Sequence, residues 1–556
     1  MRFKKFSAIL MAVVMSLSML GVAGVADTKA SAASFQELNQ SQIVEAMGAG
    51  WNLGNQLESV INGIPHETNW GNPTISENLI KAVKNAGFKS IRVPVSYFSK
   101  IGGGPSYTID AAWLNRVQEV VDMCIKYNLY VIINIHGDGY NTIDGGWLLC
   151  NAADQAAVRK KYEACWKQIA NKFKDYDQHL IFESMNEEFD GTYGTPNRTY
   201  YANINSLNQI FVDTVRKTGG NNAKRWLMLP GWNTDIEYTV GDYGFVIPSD
   251  NYRSSTIPSN EKRIMISVHY YSPYDFCLAE NGSYTQWGVA ATDSSKVPGY
   301  SDEASLKDAF GRLKSKFTSK GYPVVIGEYG AVDKSHHDSQ NAVCRIDFAA
   351  KVCGYARQNG CVPVWWDNGV NGAYGLGLFN RNTCQVTQQS IIDAIMSAFG
   401  GSGDVGIDTN KRYMLKNVNS GLYMDVSGGY AANGANVLQY SASGAKNNNT
   451  WKFVPAGDGY YYIYSALGNG NTFLLDVADN SSANGANIGI WENTNCDAQL
   501  YKPVKNSDGS YTLYTKASGG KGVVEVTNAD TANKGNVQQW EYNGHNCQKW
   551  YLEAVN

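Results

Sequence analysis

Between Phe35 and Phe399 the chain alternates short apolar or β-branched runs with longer stretches in which apolar residues recur every three and four positions. The first pattern belongs to buried strands and the second to helices lying on a sheet, so this segment reads as repeated strand–helix units. Eight strands are predicted, at Gly48–Leu53, Ser90–Val93, Tyr130–Asn134, Leu180–Glu183, Arg225–Leu229, Ile264–Val268, Val324–Gly327 and Val362–Trp365. Helices are predicted at Ile75–Ala86, Ala111–Tyr127, Ala156–Tyr176, Tyr200–Lys217, Glu303–Lys320 and Ala342–Asn359, among others. Eight units in about 365 residues predict an α/β fold, a (β/α)8 TIM barrel with long loops, whose chemistry belongs at the C-terminal ends of its strands.

Past Phe399 the helical periodicity stops. Gly400-Gly401-Ser402-Gly403-Asp404 opens a small, flexible linker over 400–410, and a repeat follows. Asp425-Val426, Asp476-Val477 and Glu525-Val526 are each followed by Asn at plus eight (Asn433, Asn484, Asn533), Asn at plus eleven (Asn436, Asn487, Asn536) and an aromatic at plus fifteen (Tyr440, Trp491, Trp540). Each copy closes on a further aromatic, Trp451, Tyr501 or Trp550. Three copies of about fifty residues across 411–556 predict an all-β domain with threefold pseudo-symmetry. Read from the residues alone, the Asp and Asn shape turns and the aromatics close the core. The repeats resemble the ricin-B-type β-trefoil lectins and carbohydrate-binding modules, whose copies end in Gln-x-Trp; Gln548-Lys549-Trp550 matches, while Gln499-Leu500-Tyr501 and Asn449-Thr450-Trp451 depart from it. That resemblance implies sugar sites at Asp425 with Tyr440 and at Asp476 with Trp491, and a third at Glu525 with Trp540, where Glu replaces the usual Asp.

The chain begins Met1-Arg2-Phe3-Lys4-Lys5, continues with an apolar run from Ala8 to Val22 and reaches small residues at Ala30-Ser31-Ala32. This reads as a secretory signal peptide over 1–33, ahead of a barrel domain over 34–399. The apolar run is short for a membrane span and no later run of about 18 apolar residues exists, so a secreted, extracellular chain with no membrane partner is expected. With 47 basic and 50 acidic residues the chain lacks the electrostatic footprint of a nucleic-acid binder. Its 35 Tyr and 14 Trp suit protein cores and sugar rings alike. Ten cysteines permit disulfides in an oxidising compartment without fixing their pairing, and no Cys/His cluster marks a metal. A monomer without metal or organic cofactor is expected.

The predicted strand ends carry polar motifs in order: Gly50-Trp51-Asn52-Leu53-Gly54-Asn55, Ile91-Arg92-Val93-Pro94, Asn134-Ile135-His136, Asn186-Glu187, His269-Tyr270-Tyr271, Gly327-Glu328 and Trp365-Trp366-Asp367. Glu187 and Glu328 follow the fourth and seventh strands, positions 141 apart that a barrel brings close in space. Two facing carboxyls are what hydrolysis of a glycosidic bond needs, one to protonate the leaving oxygen and one at the anomeric carbon. Alone, Arg92, His136, His269 and Trp366 read as an ion pair, core histidines and a packing residue; their joint occurrence at strand ends reverses that reading.

Together these motifs resemble glycoside hydrolase family 5. The resemblance implies a retaining mechanism with Glu328 as nucleophile and Glu187 as acid/base. It further implies that Arg92 hydrogen-bonds the nucleophile, Asn186 donates to a sugar 2-hydroxyl, Tyr271 lies near Glu328, His136 and His269 hold the surrounding network and Trp366 floors the sugar ring. Asn52 joins the substrate-binding set. Glu188 rivals Glu187, but adjacent strand residues point to opposite faces and only one can enter the site. Glu183 reads as structural, and Glu58 is left open. Trp70, Trp147, Trp232 and Trp287 fall in predicted loops at the catalytic end and are offered as stacking surfaces for further sugar units. Many relatives carry a second His after the first, whereas Gly137-Asp138-Gly139 follows His136. The expected activity is a secreted endo-β-1,4-glucanase (cellulase) acting on plant cell wall β-glucan. Mannan, xyloglucan or mixed-linkage glucan as substrate, and an inert secreted lectin, are the alternatives.

Overall fold

The computed structural model describes residues 35–399, 407–457, 459–506 and 508–555; the expected signal segment and residues 400–406 of the expected linker lie outside them. Eight strands form a closed, all-parallel barrel: β1 (Gly50–Asn52), β2 (Ser90–Val93), β3 (Tyr130–Ile133), β4 (Leu180–Glu183), β5 (Leu227–Pro230), β6 (Ile264–Tyr270), β7 (Val324–Tyr329) and β8 (Cys361–Trp365). Each strand pairs with its sequence neighbours, and β8 closes onto β1 through Gly50 opposite Val364. The strands are buried on both faces, which is why most of them read as largely apolar runs. Val131 and Ile133 of β3 pack outward against the helical layer, while Ile132 points into the barrel.

A short helix, α1 (Gln40–Met47), capped by Asn39 and Gln42, places Ile43 and Met47 in the interior cluster with Ile132, Met228, Met265 and Val364. Around the barrel run α2 (Glu77–Asn85), α3 (Ala111–Lys126), α4 (Gln155–Lys172), α5 (Arg198–Lys217), α6 (Ile236–Val240), α7 (Glu303–Lys316), α8 (Gln340–Gln358) and α9 (Gln389–Phe399), one after each strand. The predicted fifth strand, Arg225–Leu229, starts two residues late. Arg225 is instead a buried clasp, its guanidinium donating to the carbonyls of Phe173, Tyr176, Asp177 and Leu180.

Among the described residues the second domain holds twelve strands: β9 (Arg412–Asn417), β10 (Tyr423–Val426), β11 (Ala435–Tyr440), β12 (Trp451–Gly457), β13 (Tyr460–Ser465), β14 (Phe473–Val477), β15 (Ile488–Glu492), β16 (Tyr501–Lys505), β17 (Tyr511–Thr515), β18 (Gly522–Val526), β19 (Val537–Glu541) and β20 (Trp550–Val555). Six of them, β9, β12, β13, β16, β17 and β20, pair in a closed ring. The other six form the hairpins β10–β11, β14–β15 and β18–β19. This is the β-trefoil arrangement, with Trp451, Tyr501 and Trp550 in its core.

The plus-eleven asparagines hold the pseudo-threefold axis. Asn436 donates to Asn536, Asn536 to Asn487 and Asn487 back to Asn436, at 2.9, 2.9 and 2.8 Å. The plus-eight asparagines tie each repeat to another, Asn433 accepting from Glu492 N, Asn484 from Glu541 N and Asn533 from Ser441 N. All ten cysteines are unpaired, and eight of them are buried. Among the described residues no helix is long and apolar enough to cross a membrane.

Candidate active site

The ends of β1, β2, β4 and β7 converge on one guanidinium. Arg92 is fully buried. Its Nε donates to Glu183 (2.7 Å), one terminal nitrogen to Glu328 (2.8 Å) and Asn52 (3.2 Å), and the other to Asn186 (2.7 Å). Burial opposes its charge, but Glu183 and Glu328 outweigh that and hold the guanidinium protonated beyond its already high ordinary value. Glu183 is the fixed counter-charge, since it also accepts from Asn134 (2.9 Å) and Ser267 (2.7 Å). Asn52 is anchored by its amide donating to Gly327 O at 2.8 Å.

Glu328 owes its aim to a β-bulge. His269 pairs with Glu328 and Val268 with Ile326, so Gly327 is the extra residue of β7; such a residue bends the strand and re-aims its neighbour. A side chain at 327 would place a Cβ 3.1 Å from His269 Nε2, which leaves room only for glycine without a shift of the histidine. Glu328 accepts from Arg92 on one oxygen and from Tyr271 Oη (3.0 Å) on the other. Burial raises its proton affinity, and His269 and Arg92 pull it back toward the anion.

Glu187, directly after Asn186, lies four residues past the end of β4 and is partly open, with His269 Nδ1 2.6 Å from its carboxylate and 3.6 Å from Glu328. The alternation of strand residues therefore does not separate it from Glu188. Glu188 is excluded because it turns into the protein, where it accepts from Cys150 N at 2.6 Å and burial holds its carboxyl well above the usual carboxylate range. His136, packed parallel to Trp366 with ring centroids 6.0 Å apart, is kept neutral by burial and by the charges of Arg92 and His269. Burial and the two flanking carboxylates likewise keep the Tyr271 phenol protonated.

Two expected cleft residues are corrected. Trp232 is only 1% exposed, its ring packed on Tyr201 and Phe189, and Trp287 is equally buried, donating to Ser301 O. The long loops at this end are thick enough to form their own apolar packing and take these rings into it. Trp70 is exposed, and half-buried Trp147 donates to Asp138. Sequence reasoning missed Tyr140, whose Oη accepts from Asn186 Nδ2 at 2.9 Å, and Ser267. Tyr140 stands in the loop where the expected second His is absent, and that departure was the available signal. Glu58 is buried, accepting from the backbone of Asn55 and Gln56 in the loop after β1, and burial pushes its carboxyl up to about 7.

Glu187, His269 and Glu328 form the cluster of metal-ligand type among the described residues. The guanidinium beside Glu328 disfavours a cation there.

In the trefoil, the plus-fifteen aromatics Tyr440, Trp491 and Trp540 are all exposed, at 39, 43 and 39%. Asp425 accepts from Asn448 on one oxygen. Asp476 is half-buried, with burial raising its carboxyl and Gln499 opposing the shift. Glu525 is different: its oxygens are taken by Gln538 (2.9 Å) and Gln548 (2.8 Å).

Residues 54–372 match the family model of cellulase (glycosyl hydrolase family 5). The chain belongs to glycosyl hydrolase family 5. Within this family it is similar to endoglucanase A of Paenibacillus barcinonensis, 56% identical over 398 residues that cover 71% of this chain and 98% of that protein. A solved family 5 xyloglucanase from Paenibacillus pabuli, in complex with ligand, is 60% identical, covering 64% of this chain and 100% of that one with a TM-score of 0.64. A broad-specificity endoglucanase from Bacteroides salanitronis is 38% identical, covering 66% and 96%, with a TM-score of 0.61. Residues 404–491 and 467–540 match the ricin-type β-trefoil lectin domain-like model. The family 5 chain is thus a glycoside hydrolase of endoglucanase type, joined to a lectin-like carbohydrate-binding domain.

Proposed function

We propose that this enzyme is a secreted, retaining endo-β-1,4-glucanase in which Glu328 is the nucleophile and Glu187 the acid/base. One observation carries the reading: carboxylate oxygens of Glu187 and Glu328, with a His269 nitrogen between them, lie within 4.8 Å of one another. Retaining pairs sit about 5–5.5 Å apart, whereas inverting pairs stand roughly 6.5–9.5 Å apart to admit a water. In the first step Glu328 attacks the anomeric carbon while Glu187 gives its proton to the departing oxygen, leaving a glycosyl ester on Glu328. In the second, Glu187 takes a proton from water, the oxygen of that water attacks the same carbon, and Glu328 leaves as carboxylate. Arg92 and Tyr271 offer donors to the anion at both ends of this cycle. Secretion rests on the signal-like residues 1–33, and the trefoil would raise local substrate concentration without touching the chemistry.

Xyloglucan is a second reading of the substrate, favoured by the 60% identity to a xyloglucanase. Both readings predict cleavage of a β-1,4-glucan backbone. Product release should be measured on carboxymethylcellulose, lichenan, xyloglucan, glucomannan, galactomannan and xylan, for wild type and Glu328→Ala. Cleavage of the glucans by wild type alone supports the proposal, preference among them decides between the readings, and best activity on galactomannan or xylan overturns the substrate class. Inactive wild type would favour the lectin alternative. Glu187→Ala should lose far more activity on polysaccharide than on activated aryl glycosides, which need little protonation; equal losses contradict the acid role.

A further inference from the structure

The loop after β3 holds a residue that the proposed chemistry has not used. Its backbone is tightly determined. Asp138, fully buried, accepts from Tyr97 N (2.8 Å), Phe98 N (2.7 Å) and Trp147 Nε1 (2.6 Å), and its carbonyl accepts from Trp147 N and Leu148 N. Gly137 N is held by Ser96 Oγ at 2.9 Å. At Gly139 a Cβ would stand 2.1 Å from Glu188 Oε2, so the chain passes there as glycine only. The consequence is a fixed position for Tyr140, whose ring meets His136 edge-on at 6.3 Å.

The hydrogen bonds around Asn186 set the direction of its amide. Its oxygen accepts from Arg92, so the NH2 group must face the other way, where one proton goes to Tyr140 Oη. A carboxamide has two such protons, and the second remains for a ligand. Tyr140 Oη, having accepted from Asn186, keeps its own proton, and among the described residues that proton has no acceptor in reach. Burial and the nearness of Glu187 and Glu328 keep the phenol in its protonated, donating form. Asn186, tied to Glu328 through Arg92, and Tyr140 thus offer two unused donors side by side. The sugar hydroxyl closest to a carbon under attack is the one on its neighbour, and contacts to it tighten as the transition state forms.

We propose that Tyr140 is a further substrate-binding residue of this site, forming with Asn186 a paired donor that grips the hydroxyl on the carbon adjacent to the one attacked. It rests on the assignment of Glu328 as nucleophile. Its grip favours sugars whose hydroxyl there is equatorial over the axial epimer.

The test compares 4-nitrophenyl β-cellobioside with its analogue lacking that hydroxyl on the sugar bearing the nitrophenyl group, for wild type, Tyr140→Phe and Glu328→Ala. Phenylalanine keeps the ring, and equal thermal melting of wild type and variant checks the fold. For Tyr140→Phe the expected result is a roughly tenfold loss of kcat/KM on the parent glycoside, the scale of one hydrogen bond, and a loss of less than about twofold on the deoxy analogue. Equal losses on both substrates, or none on the parent, overturn the proposal, because a structural role would not depend on the hydroxyl. If Glu328→Ala keeps wild-type turnover, the nucleophile assignment fails and this inference falls with it. If Glu328→Ala is inactive and Tyr140→Phe loses equally on both, Tyr140 alone is misassigned.

Discussion

Replacing Arg92 by methionine would test how the buried network serves both folding and chemistry. Arg92 is wholly enclosed and donates to Glu183, Glu328, Asn52 and Asn186. Methionine fills much of the volume but leaves two carboxylates without their cation. Breaking a buried pair in this way costs about 3–5 kcal/mol, and at about 2 °C per kcal/mol for a domain this large the barrel should melt ~6–10 °C lower. Catalysis suffers separately, because the charge-assisted bond to Glu328 is worth about 1.5–3 kcal/mol, a loss of ~10–150-fold in kcat/KM. The pH profile separates this from general damage. Arg92 pulls Glu328 toward its anion against the effect of burial; without it the carboxyl binds its proton more tightly, and the nucleophile is ionised only at higher pH. The acidic limb of kcat/KM, which reports the free enzyme, should therefore move up in pH for Arg92→Met and less for Arg92→Lys, which keeps the charge. A fall in activity with an unmoved acidic limb would refute the idea that Arg92 sets the charge of Glu328.

Three further outcomes are expected. Glu58 has its carboxyl raised to about 7 from 4.5 by burial, so its favourable protonated state is fully present below about pH 4.5 and lost as pH rises through 7; relative to Glu58→Gln, wild type should lose about 3 kcal/mol of stability over that range, and a pH-independent difference in chemical denaturation would contradict this. Asn487→Ala removes two of the three bonds on the trefoil axis and should lower the trefoil's calorimetric transition by about 1–3 kcal/mol while aryl glycosidase activity stays unchanged. Trp491→Ala should weaken retention on insoluble polysaccharide, whereas Glu525→Gln should not, because that carboxylate is already occupied by Gln538 and Gln548; the opposite order in a pull-down would reassign the sites.

Strands of the barrel were legible because both faces are buried: Leu180–Glu183 opens on an unbroken Leu-Ile-Phe run, Ser90–Val93 carries Ile91 and Val93 around Arg92, and the limits of both match the structure. Short α6 offers too few turns for a periodic signal, and Arg225 looked like a strand residue because a buried arginine clasping four carbonyls has no local signature. The ordered motifs located Arg92, Asn186 and the two carboxyls, since strand ends in a parallel barrel share one rim. They could not tell an exposed tryptophan from an enclosed one: Trp232 and Trp70 both fall in loops, yet one is enclosed and the other open. Nor did alternation separate Glu187 from Glu188, because both lie beyond β4 and tertiary contacts with the loop at Cys150 make the choice. The threefold repeat was visible as spacing, but its closing ring of asparagines is a contact between copies about fifty residues apart and emerges only in three dimensions.

The proposed mechanism requires a covalent bond between Glu328 and the sugar. It is tested most directly by incubating the enzyme with an activated 2-deoxy-2-fluoro-β-cellobioside, which slows turnover of a glycosyl ester, and mapping the adduct by mass spectrometry of the intact and digested protein. One glycosyl unit on the peptide containing Glu328, absent from Glu328→Ala, is the predicted result; an active enzyme that gains no adduct, or carries it on another residue, would contradict it.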